Sequence, residues 1–309
     1  MNYASIDIGT NAILLMIAEI TNTVKEIHDT AVITRLGEGL KQTGALSSEA
    51  MERTINALRG FKTVIDKTRV TDISCVGTAA LREARNSAIF IDLVKEQLAF
   101  EIRVISEREE AFYTYLSVRQ NFLDSKEDIV IIDIGGGSTE IIYGNRENFI
   151  DHVSFPVGSV KLTEMFIKHD PPSGDEIRLL IDFIRSTLNF PRKNHVRSVI
   201  GTAGTITNLG SISKGLKEWD KKQIHGLILS SKRIDEMAHH LITKTISERS
   251  RMAGMEKGRE DIILQGVLLL KEIMSYFGAE ELIIDTNGVR HGILCERFAS
   301  LNAQAETVE

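Results

Sequence analysis

Apolar positions along the chain follow two patterns. Short runs rich in β-branched residues and bounded by turn residues predict strands, and stretches with apolar residues every third or fourth position predict helices. Runs at 3–8, 12–20 and 24–34 predict an antiparallel meander. A helix follows from Ser48 to about Lys67, with Met51, Ile55, Leu58, Phe61, Val64 and Ile65 at helical spacing and Ser47 or Ser48 as its cap. A strand at 73–76, a helix at 86–98, a strand at 101–105 and a helix from 107 to about 122 complete this half. The scheme then begins again, with strands near 129–134, 138–144 and 149–155. Helices parted by the turn Asp170-Pro171-Pro172-Ser173-Gly174 come next, then a strand at 196–200. A strand at 224–229, a helix from about 231, a long helix at 258–277, a strand at 282–285 and a helix at 289–300 close the pattern. The tail beyond Asn302 is expected to be disordered. Meandering strands followed by strand–helix alternation, twice over, predict two α/β lobes. The expected lobes are residues 1–125 and 126–309, and packing of the last helix back on the first lobe is left open.

The strand that opens the second half carries the most distinctive chemistry. Its apolar run, Ile129 to Ile132, leads into Asp133-Ile134-Gly135-Gly136-Gly137-Ser138-Thr139-Glu140. Consecutive glycines let the backbone come close to a ligand with several N–H groups aligned, a concavity that suits phosphate oxygens. Asp133 at the strand end can hold a hard cation such as Mg²⁺. Ser138 and Thr139 can donate to phosphate, and Glu140 can orient water. The competing reading is a glycine-rich hairpin turn. An echo near the N-terminus favours the phosphate site: Asp7-Ile8-Gly9-Thr10-Asn11 again places Asp-Ile-Gly at the end of an apolar strand. The echo adds Asp7 as a second candidate metal ligand and Thr10 and Asn11 as candidate substrate contacts.

Composition limits the partners. A length of 309 residues suits about two domains, and 42% hydrophobic with 26% charged residues is ordinary for a globular protein. A formal net charge of −6 argues against general attraction to nucleic acid or an anionic membrane, so neither is expected as a partner. Cys75 and Cys295, far apart and without metal-ligand spacing, predict a reducing compartment. The N-terminus has no basic region ahead of an apolar core, and no apolar run reaches about 18 residues; the cytoplasm is the expected location.

Other segments offer candidates with plain alternatives. Ser106-Glu107-Arg108-Glu109-Glu110 opens a helix with a capping-box pattern that occupies Glu109 and leaves Glu110 unassigned. Arg82 follows a strand end, where α/β proteins place ligand residues, and Arg85 competes with it for the same role. Gly201-Thr202-Ala203-Gly204-Thr205 runs from a strand into a helix start, a place for anions on backbone N–H groups. Lys257-Gly258-Arg259-Glu260-Asp261, with Arg249 and Arg251 upstream, reads first as a solvated basic cluster, and His225 is as readily structural as functional. The chain has no Walker A lysine, no His-Glu-x-x-His pair and no Gly-x-Ser-x-Gly elbow.

Together these motifs resemble the exopolyphosphatase/guanosine pentaphosphate phosphatase (Ppx/GppA) family in its short two-domain form. The resemblance runs through Asp7–Asn11, Leu81-Arg82-x-Ala84-x-Asn86, Ile105-Ser106-x-x-Glu109-Glu110-Ala111 and Asp133–Glu140. It continues through Gly201-x-x-Gly204-Thr205-Ile206-Thr207, His225-Gly226, Arg259 and Gly288-Val289-Arg290-x-Gly292. It implies an α/β fold of two ribonuclease-H-like lobes around a cleft, as in actin, Hsp70 and sugar kinases. It further implies that Glu110 activates the attacking water, with Arg82 and Glu140 beside it in catalysis, and that Asp133 binds the metal. Gly135, Gly136, Gly137, Ser138, Thr139, Gly204, Thr205 and Arg259 fall on phosphate-contacting positions. The implied cofactor is Mg²⁺, or another divalent cation such as Mn²⁺. The implied substrate is inorganic polyphosphate, with guanosine pentaphosphate as the alternative, and a homodimer is left open. A kinase, or a nucleotide-switch module of the same fold, are the rival functions. Two positions depart from the family pattern: Ala12 stands where a serine is usual, and His291 stands in place of an acid.

Overall fold

The computed structural model describes residues 1–122, 128–188, 196 and 198–306. The chain divides into two compact units, Met1–Phe122 with Asn287–Glu309, and Leu123–Thr286. The expected lobe boundary between 125 and 126 lies outside the described residues.

The first unit runs β1 (Asn2–Ile8), β2 (Ala12–Ile20), β3 (Val24–Ile33), α1 (Leu40–Thr43), α2 (Ser48–Lys67), β4 (Asp72–Gly77), α3 (Ala79–Glu83), α4 (Ser87–Leu98), β5 (Ile102–Val104) and α5 (Glu107–Phe122). Its sheet has the order β3-β2-β1-β4-β5. The three meander strands pair antiparallel, while β4 and β5 continue parallel to β1. Both sheet faces are covered. Ala4, Ile6 and Ile8 of β1 face a core with Leu58, Phe61 and Phe90, whereas Tyr3 of β1 joins Met16, Ala18 and Ile20 of β2 in a second cluster. Two covered faces explain why β2 is apolar without alternation from Ala12 to Ala18. Each large apolar side chain fully buried in this way adds about 1.5–3 kcal/mol. Ser47, not Ser48, caps α2, its hydroxyl accepting from the Ala50 amide at 3.1 Å.

The second unit runs β6 (Ile129–Ile134), β7 (Thr139–Gly144), β8 (Phe149–Phe155), α6 (Ser159–Phe166), α7 (Gly174–Thr187), β9 (Ser198–Thr202), α8 (Ala203–Lys214), α9 (Lys221–Ile224), β10 (Ile228–Ser230), α10 (Ser231–Ile242), α11 (Ile246–Arg249), α12 (Ile263–Phe277) and β11 (Glu281–Ile284). Its sheet order is β10-β11-β9-β6-β7-β8. The succession β8-β7-β6-β9-β11 repeats β3-β2-β1-β4-β5 strand for strand and direction for direction. This doubled ribonuclease-H-like order is that of the actin-like ATPase fold.

Three predicted elements differ. The strand expected at 224–229 is the end of α9 followed by the short β10, because Gly226 takes φ 80° and interrupts the extended run. The long helix expected from 258 begins only at Ile263; Gly258 has φ 91°, and residues 258–262 form a turn. The strand expected at 196–200 is observed at Ser198–Thr202, with residue 197 outside the described residues.

The chain closes with α13 (Val289–Glu306), which groups with the first unit. Arg290 bonds both carboxylate oxygens of Asp29 at 2.7 and 2.9 Å, and the Ser5 hydroxyl donates to the Arg290 carbonyl at 2.6 Å. At Gly292 the helix lies directly on α5, so that a Cβ would strike the Tyr113 carbonyl. The Gly-Val-Arg-x-Gly motif therefore serves helix packing, and His291 within it lies 3.5 Å from Cys295 Sγ on the next turn. The helix passes Asn302, beyond which disorder was expected; residues 307–309 lie outside the described residues.

Candidate functional site

In the second unit, β6 and β7 pair with Asp133 opposite Glu140 and Ile134 opposite Thr139, leaving Gly135–Ser138 as a four-residue link. The Gly135 amide donates to the Ser138 carbonyl at 3.0 Å. The carbonyls of Gly135 and Gly136 turn toward the start of α6, where they accept from the amides of Ser159 and Val160, each at 3.0 Å. With its carbonyls so engaged, the loop has no protein acceptor among the described residues for the amides of Gly136 and Gly137. Such amides can receive phosphate oxygens. Gly158 makes this contact possible, since a Cβ there would lie 2.5 Å from the Gly135 oxygen and 2.6 Å from the Gly136 oxygen. The sequence reading gave Gly158 no role. The available signal was a lone glycine just before a helix, in Pro156-Val157-Gly158-Ser159.

The flanking groups have distinct surroundings. Asp133 is largely buried at the end of β6. Glu140 is buried and accepts from the Ser154 hydroxyl at 3.0 Å. The Thr139 hydroxyl donates to the Val157 carbonyl at 2.7 Å, which braces the chain leading to Gly158. Ser138 is buried beside them.

The same unit brings Gly204 and Arg259 together. β9 passes into α8 through Ala203, whose φ of 68° is unusual for a residue with a side chain. The Arg259 guanidinium lies against Gly204, where any Cβ would overlap it, and Arg259 Nε is bonded to Glu256. Thr205 packs on Gly266 of α12. At the end of β11 stands Asp285, wholly buried, its amide bonded to the Gly201 carbonyl at 2.8 Å and its carboxylate 3.2 Å from His225 Nδ1. The sequence reading ended a strand on Asp285 and assigned it nothing.

In the first unit, Arg82 and Glu110 meet. Arg82 Nη1 donates to Glu110 Oε2 at 2.6 Å and to the Ile105 carbonyl at 3.0 Å. Arg85, the competing arginine, instead bonds the carbonyls of Thr43 and Gly44, and Asn86 exchanges two bonds with the Leu46 backbone. Adjacent carboxyls on α5 are driven in opposite directions. Glu109 completes the capping box, and the Ser106 amide it accepts holds its pKa below the usual range. Glu110 is 8% exposed, and burial raises its pKa, with Arg82 opposing that rise.

The echo loop of this unit has Asp7 opposite Leu14 in the β1–β2 register, and the Gly9 amide donates to the Ala12 carbonyl at 3.0 Å. The Thr10 carbonyl accepts from Gly37, and the Asn11 carbonyl from Thr34 and Arg35. Both polar atoms of the Asn11 side chain are buried without a protein partner among the described residues.

Among the described residues no three or more His, Cys, Asp or Glu side chains cluster as a ready-made metal cage. Single strand-end carboxylates, Asp133 and Asp7, are hard oxygen donors. Each by itself is the kind of donor that suits Mg²⁺, which keeps waters and takes substrate phosphate oxygens rather than an all-protein shell. Among the described residues no helix is long and apolar enough to cross a membrane.

Comparison with known proteins agrees with the motifs. A Fusobacterium nucleatum protein named bifunctional 3-dehydroquinate synthase/phosphatase is 34% identical across 95% of this chain, which spans 46% of that relative. Exopolyphosphatase 2 of Mycobacterium tuberculosis is 29% identical, over 94% of this chain and 96% of its own length. The crystal structure of the Aquifex aeolicus Ppx/GppA family member superposes with a TM-score of 0.83 at 32% identity, covering 98% of this chain and 99% of that one. Residues 16–301 match the Ppx/GppA phosphatase family, and the chain belongs to that family.

Proposed function

We propose that the chain, a hydrolase by its family, cleaves the terminal phosphoanhydride of inorganic polyphosphate and releases orthophosphate, with Glu110 activating the water. The observation that carries this reading is the state of Glu110. It is a buried carboxyl whose proton affinity burial raises, yet it is held by an arginine at 2.6 Å, a combination that suits a general base. Polyphosphate is preferred over guanosine pentaphosphate because the exopolyphosphatase relative matches along almost the whole of both chains.

Phosphoryl transfer passes through a loose transition state, so positioning and charge stabilisation dominate. The amides of Gly136 and Gly137, the Ser138 hydroxyl and the Arg259 guanidinium would hold and neutralise phosphate oxygens. Arg82 would orient Glu110 and keep it ionised until the water surrenders its proton. Asp133, with Asp7 as the second candidate, would hold Mg²⁺, which when bound supplies charge neutralisation on phosphate oxygens. Free thiols at Cys75 and Cys295 suit a cytoplasmic setting.

The test is orthophosphate release from polyphosphate and from guanosine pentaphosphate, each with Mg²⁺ and with a chelator. Mg²⁺-dependent release from polyphosphate is expected. Release from guanosine pentaphosphate alone would transfer the reading to the nucleotide, and release from neither would end it.

A further inference from the structure

Arg249, the last residue of α11, heads the largest fully buried side chains, with 1% exposure. A buried guanidinium is usually matched to carboxylates, because its desolvation is expensive. Here the hydrogen bonds go to the main chain. Nε donates to the Leu241 carbonyl at 3.1 Å, Nη1 donates to the Glu260 carbonyl at 3.4 Å, and Nη2 has no hydrogen-bond partner among the described residues. Asp170 and Asp261 are near enough to favour its charge against burial, which lowers its pKa. The two carbonyls belong to different segments. Leu241 lies in the last turn of α10, where helix carbonyls lack intrahelical donors and a cation is welcome. Glu260 immediately follows Arg259.

The turn that carries Arg259 has several bonds of its own. Gly258 N bonds Glu260 Oε2 at 2.6 Å, Arg259 Nε bonds Glu256, and Ile262 N bonds the Arg259 carbonyl at 3.0 Å. Upstream, Asn208 of α8 fastens the Gly254 carbonyl at 2.7 Å. Asn208 thus holds the upstream end and the buried start of α12, Ile262 to Leu264, holds the downstream end; between them Arg249 ties the Glu260 carbonyl to α10. We infer that Arg249 is a positioning residue: by fastening the Glu260 carbonyl it sets the Arg259 guanidinium over Gly204. The inference rests on the reading of Arg259 as a phosphate contact. Lysine cannot substitute, because one ammonium lacks the fork that spans two carbonyls.

The test is a double-mutant cycle on the full chain with polyphosphate as substrate. Arg259→Ala and Arg249→Met are each expected to raise KM by about 10- to 100-fold, as sub-ångström to ångström misplacement of a binding group does. In the Arg259→Ala background, Arg249→Met is expected to change kcat/KM by no more than about twofold, while still lowering Tm as it does alone. Arg249→Lys runs the same cycle should the methionine variant fail to fold. Multiplied losses in the double variant, or a wild-type KM in both Arg249 variants, overturn the inference alone. A wild-type KM for Arg259→Ala overturns the Arg259 reading and this inference with it.

Discussion

The two Asp-Ile-Gly hairpins have one backbone and two chemistries. Four residues, Gly9–Ala12 and Gly135–Ser138, lie between the last paired positions of each hairpin, Ile8 with Ile13 and Ile134 with Thr139, and in each the glycine amide bonds the fourth residue's carbonyl at 3.0 Å. In each, two loop carbonyls are taken by the segment that follows the meander. The partner of Asp7 across the hairpin is Leu14, whereas that of Asp133 is Glu140. The first loop presents side chains, Thr10 and the buried amide of Asn11. The second has almost none to present and offers backbone amides backed by α6. The base candidate stands on a helix of the first unit, and the arginine over a glycine stands in the second. Repetition of a fold thus leaves the chemistry of each copy free to diverge.

This division of labour can be broken by experiment, most severely at Glu110. Glu110→Ala removes the proposed base and leaves the second unit's loop intact. Turnover is expected to fall about 10²- to 10⁴-fold with substrate binding retained, as read by single-turnover rates and equilibrium binding. Normal turnover in a folded variant would leave the first unit without a catalytic share. A matched glycine pair comes next. Gly158→Ala places a methyl on two main-chain oxygens that cannot retreat without moving the loop, so a loss of about 10- to 100-fold in kcat/KM is expected. Gly37→Ala meets chiefly the Thr10 methyl, a side-chain tip rather than main chain, and should cost less than Gly158→Ala, below about 10-fold in kcat/KM. Equal losses would erase the distinction between the loops.

The smallest effect concerns pH. Burial raises the Glu110 pKa and Arg82 opposes it, so activity should fail on acidification above the ordinary carboxylate range. Arg82→Ala removes the opposing cation, and the acid limb of the rate profile should move to higher pH. A limb that stays in place or moves down would deny the pair its coupling.

Much of this was legible in residue order because local chemistry and final structure agree there. The apolar runs of β1, β2, β6 and β7 are strands, and the Ser106–Glu109 capping box forms as its spacing predicts. Legibility failed where distant contacts decide. Arg82 and Arg85 look alike in sequence, and only the packing of α1 draws Arg85 away to the Thr43 and Gly44 carbonyls. Arg259 sits in a segment with helix-forming neighbours, yet Gly258 turns it toward Gly204. Gly158 matters because another loop's carbonyls face it, and a lone glycine before a helix hints at a close approach without showing what approaches. Asp285 was hidden for the same reason, since its partners lie on β9 and beyond α9.

The placement of α13 has a consequence for the order of synthesis. The first unit is interrupted by the whole of the second, and the helix that completes it is made only after the second unit. Until residues 289–306 emerge from the ribosome, Asp29 lacks its arginine, and Tyr113 on the glutamate-bearing helix lacks the glycine that lies against it. The second unit, continuous in the chain, can mature first, as contiguous domains do during translation. The first must wait for contacts of very long sequence separation, the kind that slows folding. A nascent chain would therefore carry a finished phosphate loop well before the helix of its base was locked, and α13 would be the piece that completes the first unit.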